Sequence, residues 1–157
     1  MMAAGQPDHA LRLSLCEVLR DSAREVLPTP PDVFDKGDDG IDLVTSTDLA
    51  LQARLTAALE ALLPGSVAIG EEGYAEPTAP SGVPVWIIDP LDGTVNFVAG
   101  LPAYAISVAL LADGRPVLAA VHDIPHDCTY SALEGGGAYL DNNRLVPRPT
   151  KARLAIL

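Results

Sequence analysis

The sequence predicts an α+β fold in which two N-terminal helices pack on a mostly antiparallel sheet. Apolar residues recur at helical spacing twice within the first 63 positions, and strand-like runs separated by turn residues follow residue 104. The chain has 157 residues, of which 48% are hydrophobic but only 4% aromatic, so leucine, valine, isoleucine and alanine must build the core. This length fits one domain of ordinary size, which we expect to span residues 1–157.

The first helix is expected over residues 9–27, with Asp8 as its N-cap and prolines at 28, 30 and 31 behind it. Residues 35–40 are polar and predict a loop that carries Lys36. A short strand over 42–45 and a second helix over 47–63 follow, ended by Pro64 and Gly65. Both helices have one apolar face, so we expect them to share a layer. The apolar positions are Leu11, Leu15, Val18, Leu19 and Val26 in the first helix, and Leu51, Leu55, Ala58, Leu59 and Leu62 in the second.

Strands dominate the rest of the prediction. Short apolar runs at 67–69 and 85–88 predict strands, with a surface loop over 74–84 between them. Strands over 104–111 and 116–124 flank the hairpin turn at Asp113 and Gly114, and further strands are expected over 128–133 and 138–140. The connections are short, so an antiparallel meander is expected.

Composition and charge exclude several classes of partner. The net charge is −11 and the only lysines are Lys36 and Lys151, which disfavours nucleic-acid binding. An acidic protein that binds phosphate needs cations between the two. Cys16 and Cys128 have no paired spacing and indicate reduced thiols. No basic and apolar leader and no apolar run near the ~20 residues of a membrane span are present, so we expect a cytoplasmic protein without membrane contact.

The most informative segment runs Trp86-Ile-Ile-Asp-Pro-Leu-Asp-Gly-Thr-Val-Asn-Phe97. Pro90 disfavours helix at Asp89, so the chain is expected to leave the strand there, and Asp92 then points back to the same place. Gly93 lets a ligand approach the backbone, and Thr94 is expected to begin a short helix whose free N–H groups favour an anion. Asp-Pro and Asp-Gly pairs are also ordinary turn residues, and taken singly they mean no more than a turn.

The whole segment resembles the signature of the inositol monophosphatase family, which comprises magnesium-dependent, lithium-sensitive phosphatases of small phosphorylated alcohols. Ile69-Gly-Glu-Glu-Gly73 and Asp42-Leu-Val-Thr-Ser-Thr-Asp48 resemble two further elements of this family, in the expected order. Taken singly, Glu71 and Glu72 would be a solvated acidic pair and Thr47 or Asp48 a helix cap. The resemblance implies the N-terminal half of a layered αβαβα sugar-phosphatase fold.

The resemblance also implies a site for Mg²⁺. Glu71, Asp89 and the backbone carbonyl of Leu91 would hold one ion, while Asp89 and Asp92 would hold a second together with an aspartate that this chain lacks. Oxygen-only ligands beside phosphate suit Mg²⁺ better than a soft transition metal.

Catalytic roles follow from the same resemblance. Glu71 and Thr94, with Asp48 behind Thr94, would orient and deprotonate the attacking water, and the amides of Gly93 and Thr94 would bind phosphate oxygens. Lys36 and Glu72 are further candidates near the metals. His9, His122 and His126 have no metal-site spacing and are expected to be structural or exposed.

The expected function is Mg²⁺-dependent hydrolysis of a small phosphate monoester, with inositol monophosphate as the preferred substrate. Histidinol phosphate, fructose bisphosphate and adenosine bisphosphate are the alternatives within the family, whose members are commonly dimers. Residues 152–157 resemble the start of a strand, and the family's later Trp-Asp-x-Ala element is absent, since Trp86 is the only tryptophan. We therefore expect a portion of a longer enzyme without its C-terminal α/β part. The alternative is a truncated, non-catalytic metal- or phosphate-binding or interaction module that needs a separate C-terminal chain.

Overall fold

The computed structural model describes residues 7–27, 32–35, 43–71 and 82–147. Two long helices precede most of the strands, which confirms the α+β prediction. In chain order the elements are α1 His9–Val26, β1 Val33–Asp35, β2 Leu43–Thr45, α2 Ser46–Leu62, β3 Val67–Gly70, β4 Val85–Asp92, α3 Thr94–Val98, β5 Ala105–Ala112, β6 Arg115–Asp123, β7 Cys128–Leu133, β8 Gly137–Leu140 and β9 Asn143–Arg144.

The main sheet has seven strands in the order β3-β4-β5-β6-β7-β8-β9. Strands β3 and β4 are parallel, and every later pair is antiparallel, as the predicted meander requires. Strands β1 and β2 form a separate antiparallel pair. Because β3 and β4 run in the same direction, their carboxyl ends meet at one edge of the sheet.

Helices α1 and α2 pack on one face of the main sheet and bury the core there. Burial of each large apolar side chain contributes roughly 1.5–3 kcal/mol. The indole of Trp86 is fully buried, and its Nε1 donates to Ser66 Oγ at 3.0 Å, so its one polar group is satisfied. The other large buried apolar residues include Leu15, Leu19, Leu51, Leu55, Leu59, Ile88, Ile106, Val108, Leu110 and Leu118.

We call the opposite side of the sheet, turned away from α1 and α2, the open face. Successive residues of a strand point to opposite faces, so Ile87 lies on the open face between buried Trp86 and Ile88. Ile87 is 41% exposed, Val121 39% and Tyr130 47%. The predicted buried strand over 85–88 is therefore buried on one face only.

Local capping explains where the long helices begin. Asp8 caps α1 as predicted, with its Oδ1 accepting from the Leu11 N–H at 2.9 Å. The N-cap of α2 is Thr45. Asp48 occupies the third helical position and accepts from the Thr45 N–H at 2.9 Å, which completes a capping box.

Several strand predictions differ from the structure. Strand β4 does not end at Asp89 but continues through Pro90 to Asp92. Asp35 belongs to β1 and not to a loop, while residues 36–40 lie outside the described ranges. The hairpin turn is confirmed, with positive φ at both Asp113 and Gly114, whereas β9 was not predicted.

Two smaller expectations concern the thiols and the membrane. Cys16 and Cys128 are both free. Across the ranges that the structure describes, no helix combines the length and apolarity needed to cross a bilayer.

Candidate metal and phosphate site

A β-bulge in β4 places the two aspartates of the signature on one face of the sheet. Asp89 pairs with Ser107 and Asp92 pairs with Ala105, so three steps along β4 match two steps along β5. Residues three apart in a regular strand point to opposite faces, but the extra residue of the bulge restores the same side. Pro90 has no N–H to contribute to the ladder and is tolerated at this irregularity. Asp89 and Asp92 therefore both lie on the open face.

Glu71 reaches the same place from the neighbouring parallel strand. It follows β3 directly, and its backbone N–H donates to the carbonyl of Ile88 at 3.0 Å, which extends the ladder by one residue. This bond sets Glu71 beside Asp89, close enough for the two carboxyl groups to affect each other's charge.

The crowding of these carboxyl groups changes the acidity of Asp89. Burial and, after it, the negative charges of Glu71 and Asp92 together raise the pKa of Asp89 from 3.8 to about 6. A hydrogen bond from the backbone of Leu91 acts in the opposite direction. A cation at this edge would relieve the repulsion and restore the ionised form of Asp89.

The donor set fits a hard cation. Within the described ranges no group of three or more His, Cys, Asp and Glu side chains is gathered closely enough to hold a metal ion by itself. Mg²⁺, however, usually keeps several waters and binds proteins through one or two carboxylates. The neighbouring carboxyl groups of Glu71 and Asp89, with Asp92 on the same face, meet that requirement with oxygen atoms alone.

Asp48 and Thr94 connect the start of α2 to the end of β4. Asp48 is 1% exposed, and its Oδ1 lies 2.9 Å from the hydroxyl of Thr94. That hydroxyl also lies 2.9 Å from the carbonyl oxygen of Leu91. A hydroxyl has one proton and two lone pairs, so it donates to one of these oxygens and keeps a lone pair for another donor.

Gly93 is required by the path of the chain itself. Its φ is 91°, which L side chains rarely adopt, and an added Cβ would lie 2.7 Å from the carbonyl oxygen of Ala103. The path of the chain therefore requires glycine here, in addition to the close approach of a ligand expected from the sequence. Helix α3 has only five residues, so any anion here would depend on individual N–H groups and not on a long helix dipole.

A hollow of about 390 Å³ opens beside the acidic cluster. It is lined by Asp92, Asn96, Val121, Asp123 and Tyr130, among others, and so continues along the open face. Another hollow of similar volume lies at the far end of the sheet, near Leu11, Leu63, Leu110 and Val117, and none of the predicted site residues lines it. Of these two hollows, the one beside Asp92 is adjacent to the predicted metal ligands.

The remaining predicted residues are distributed as follows. Leu91 is buried with its carbonyl at Thr94, while Lys36 and Glu72 lie outside the described residues. His122 is buried against Thr129, and His126 is exposed and bonded to Asp123, which agrees with the structural or exposed roles expected for them.

Sequence reasoning overlooked Thr45. Its N–H and its hydroxyl both donate to Asp48 Oδ2, which leaves Oδ1 for Thr94. The spacing of a threonine and an aspartate three residues later is the capping-box signature, so the signal was present in the sequence.

Comparison with known proteins agrees with this arrangement. The sequence profile of the inositol monophosphatase family matches residues 8–156. The inositol-1-monophosphatase SuhB of Mycobacterium tuberculosis H37Rv is 44% identical over 106 residues, which cover 66% of this chain and 37% of that protein.

Two solved structures share the fold. An IMPase/NADP phosphatase complexed with NADP and Ca²⁺ has a TM-score of 0.80 at 27% identity, covering 92% of this chain and 56% of that one. An IMPase/NADP phosphatase complexed with Mg²⁺ and phosphate has a TM-score of 0.68 at 29% identity, covering 80% and 47%. The chain thus spans about half the length of these solved relatives, which confirms the expected match to a portion of the family fold. The chain belongs to the inositol monophosphatase family.

Proposed function

We propose that this protein takes part in Mg²⁺-dependent hydrolysis of a small phosphate monoester, with inositol monophosphate as the first candidate. The observation that carries the proposal is the crowded carboxyl pair of Glu71, just after β3, and Asp89 in β4, together with the linked side chains of Asp48 in α2 and Thr94 just after β4. Carboxylates suit the cation, and a fixed hydroxyl suits the positioning of a water molecule. Family membership supports a phosphatase reaction.

The proposed ligands of one Mg²⁺ are the carboxylates of Glu71 and Asp89 and the carbonyl of Leu91, and those of a second Mg²⁺ are the carboxylates of Asp89 and Asp92. When bound, Mg²⁺ would neutralise phosphate charge and make a water easier to deprotonate. The solved relative complexed with Mg²⁺ and phosphate supports this choice of metal. The charges of both other carboxylates raise the pKa of Asp89, and Asp89 would serve both ions, so it is the ligand with the largest expected influence.

The side chains of the chain itself would then place the attacking water. With its proton donated to Asp48 or to the Leu91 carbonyl, Thr94 Oγ1 has a lone pair that accepts a hydrogen bond from that water. Glu71 would accept the second proton as a general base. Thr94 acts as a positioner in this scheme, so no phosphoenzyme is formed.

Phosphate and alcohol would both lie beside Asp92. The N–H groups of Gly93 and Thr94 are proposed to bind phosphate oxygens, as backbone amides do at many anion sites. The hollow along Asp92, Asn96 and Tyr130 would receive the alcohol part of the substrate. Its polar side chains suit a polyol better than an apolar group.

A second candidate function is supported by the extent of the match. The chain spans 37% of the length of its mycobacterial relative, and its open face leaves Ile87, Val121 and Tyr130 exposed beside the acidic cluster. These observations favour a metal- or phosphate-binding or interaction module that needs a complementary C-terminal part. Homodimer formation and a cytoplasmic location remain predictions.

The decisive experiment measures Mg²⁺-dependent phosphate release from inositol 1-phosphate, histidinol phosphate, fructose 1,6-bisphosphate, adenosine 3′,5′-bisphosphate and NADP. We expect Asp89→Asn to abolish release without unfolding the chain, because it removes a ligand charge and keeps the shape of the side chain. Asp21→Asn, which removes an exposed charge on α1, is the matched control and should retain wild-type release.

Each outcome separates the two candidates. Release that Asp89→Asn abolishes and Asp21→Asn retains supports the phosphatase, and the preferred ester defines the substrate class. A folded chain that binds Mg²⁺ but releases no phosphate from any ester supports the binding module. Release that survives Asp89→Asn contradicts the proposed metal site.

A further inference from the structure

Helix α2 touches the candidate site at two points, one turn apart. Asp48 and Gln52 are four residues apart, so their side chains lie on the same side of α2. Asp48 contacts Thr94, as described above. Gln52 instead lies against Gly70, the last residue of β3 and the residue before Glu71.

Contact with Gln52 is the structural reason for glycine at position 70. The φ angle of Gly70 is not among the positive values, so its backbone does not require glycine. A Cβ built on Gly70 would lie 2.1 Å from Gln52 Oε1 and 2.3 Å from Gln52 Cδ. Any larger residue would expel the carboxamide of Gln52 from the end of the strand. Glycine at this position therefore lets the Gln52 side chain rest directly on the backbone.

The end of β3 is thereby held from two directions. Gly70 pairs with Ile88 and shares its helix-facing side, whereas Glu71 is the next residue and faces the open side. On the sheet side, the Glu71 N–H is bonded to the Ile88 carbonyl at 3.0 Å. On the helix side, the Gln52 carboxamide occupies the space where a side chain of residue 70 would lie. The backbone at Glu71 therefore cannot move away from β4 without breaking its bond to Ile88, and Gln52 blocks movement of Gly70 toward α2.

We propose that Gln52 is a positioning residue that holds Glu71 in place for Mg²⁺, acting through Gly70. The first two turns of α2 then brace both parts of the site, because Asp48 fixes Thr94 while Gln52 fixes Glu71. This inference rests on the proposed function in one respect, namely that Glu71 is a metal ligand.

The experiment compares Mg²⁺ dissociation constants by titration calorimetry with thermal unfolding in the absence of Mg²⁺. Loss of a residue that orients a metal ligand typically weakens metal binding by roughly 10-fold or more. We expect Gln52→Ala to weaken Mg²⁺ binding about 10-fold, with Mg²⁺-free unfolding close to that of the wild type. Gly70→Ala should have the same effect, because its methyl group expels the same carboxamide.

The double variant tests whether both changes act through one contact. Gln52→Ala combined with Gly70→Ala should bind Mg²⁺ no more weakly than either single variant, since the contact is lost only once. Arg54→Ala is the control on the same helix. Arg54 pairs with Glu25 at 2.8 Å on another side of α2, and its loss should leave Mg²⁺ affinity unchanged.

The possible results are distinct. If the wild type binds Mg²⁺ and both single variants bind it equally well, Gln52 has no positioning role, and the proposed function stands. If the double variant loses affinity by the product of the single effects, the two residues act separately and the inference is wrong. If the wild type gives no Mg²⁺ binding at all, the proposed function and this inference both fail.

Discussion

Among the described residues, the hydroxyl of Thr94 is the only hydrogen-bonding group near Oδ1 of buried Asp48, since Thr45 donates to Oδ2. Thr94→Val keeps the shape of the side chain but leaves Oδ1 of Asp48 without that partner. An unsatisfied buried acceptor costs about 1–3 kcal/mol. We expect urea unfolding to show a loss of that size for Thr94→Val, while Thr94→Ser, which keeps the hydroxyl, stays near the wild type. Equal stability of the two variants would contradict the importance of this hydrogen bond.

At the scale of elements, residue pattern predicted most of the fold and local geometry explains the misses. Strand β7 was predicted with its observed bounds, and the Asp113-Gly114 hairpin followed from turn chemistry. The bulge in β4 was missed, because Pro90 predicts a break equally well whether the strand ends or only loses one ladder bond.

The candidate site, too, was predicted from sequence only in part. The spacing of Asp89 and Asp92 indicated a shared site, yet only the register with β5 explains why both lie on one face. Gln52 could not be recognised from sequence, because its contact with Gly70 depends on how α2 packs against β3. Motif residues were predictable, whereas the residues that support them from another element were not.

The packing of α1 on the sheet has a consequence for stability at low pH. His122 is 2% exposed beneath α1, and burial, followed by the positive charge of Arg20, lowers its pKa. The unfolded histidine takes up a proton as the pH falls below about 6.5, while the folded one resists it. We therefore expect the free energy of unfolding to fall with decreasing pH below about 6.5, by at most about 1.4 kcal/mol per pH unit.

Protonation of Asp89 has the opposite effect on the free energy of unfolding in part of this pH range. The measurement is therefore made in a variant that lacks the Asp89 carboxyl group. Its raised pKa of about 6 means that the folded chain takes up a proton there before the unfolded chain does. Chemical unfolding from pH 7.5 to 5.5 should therefore be followed in Asp89→Asn, with and without His122→Gln. The loss of stability should be smaller when His122 is replaced. Identical pH profiles with and without His122→Gln would show that His122 does not cause the loss of stability at low pH.

In the whole molecule, the net charge of −11 means that cation binding affects the free energy of unfolding as well as the reaction. Glu71 and Asp92 already oppose ionisation of Asp89, so the metal-free protein pays an electrostatic cost at neutral pH. A cation that binds the folded chain and not the unfolded chain offsets this cost by mass action. The same three side chains then set both the metal affinity and part of the free energy of unfolding.

Asp89→Asn should therefore stabilise the metal-free protein while removing its response to Mg²⁺. The asparagine amide can donate to Glu71, and its oxygen can accept from the backbone of Leu91, so both contacts of Asp89 are retained. At pH 7.5 we expect the metal-free midpoint of thermal unfolding to rise by about 2–4 °C, equivalent to roughly 1 kcal/mol for a chain of this size. Added Mg²⁺ should raise the midpoint of the wild type and leave that of the variant unchanged. Asp21→Asn removes one negative charge as well, but from α1 and away from the site. A similar rise of the metal-free midpoint in that control would assign the effect to overall charge and not to the crowded site.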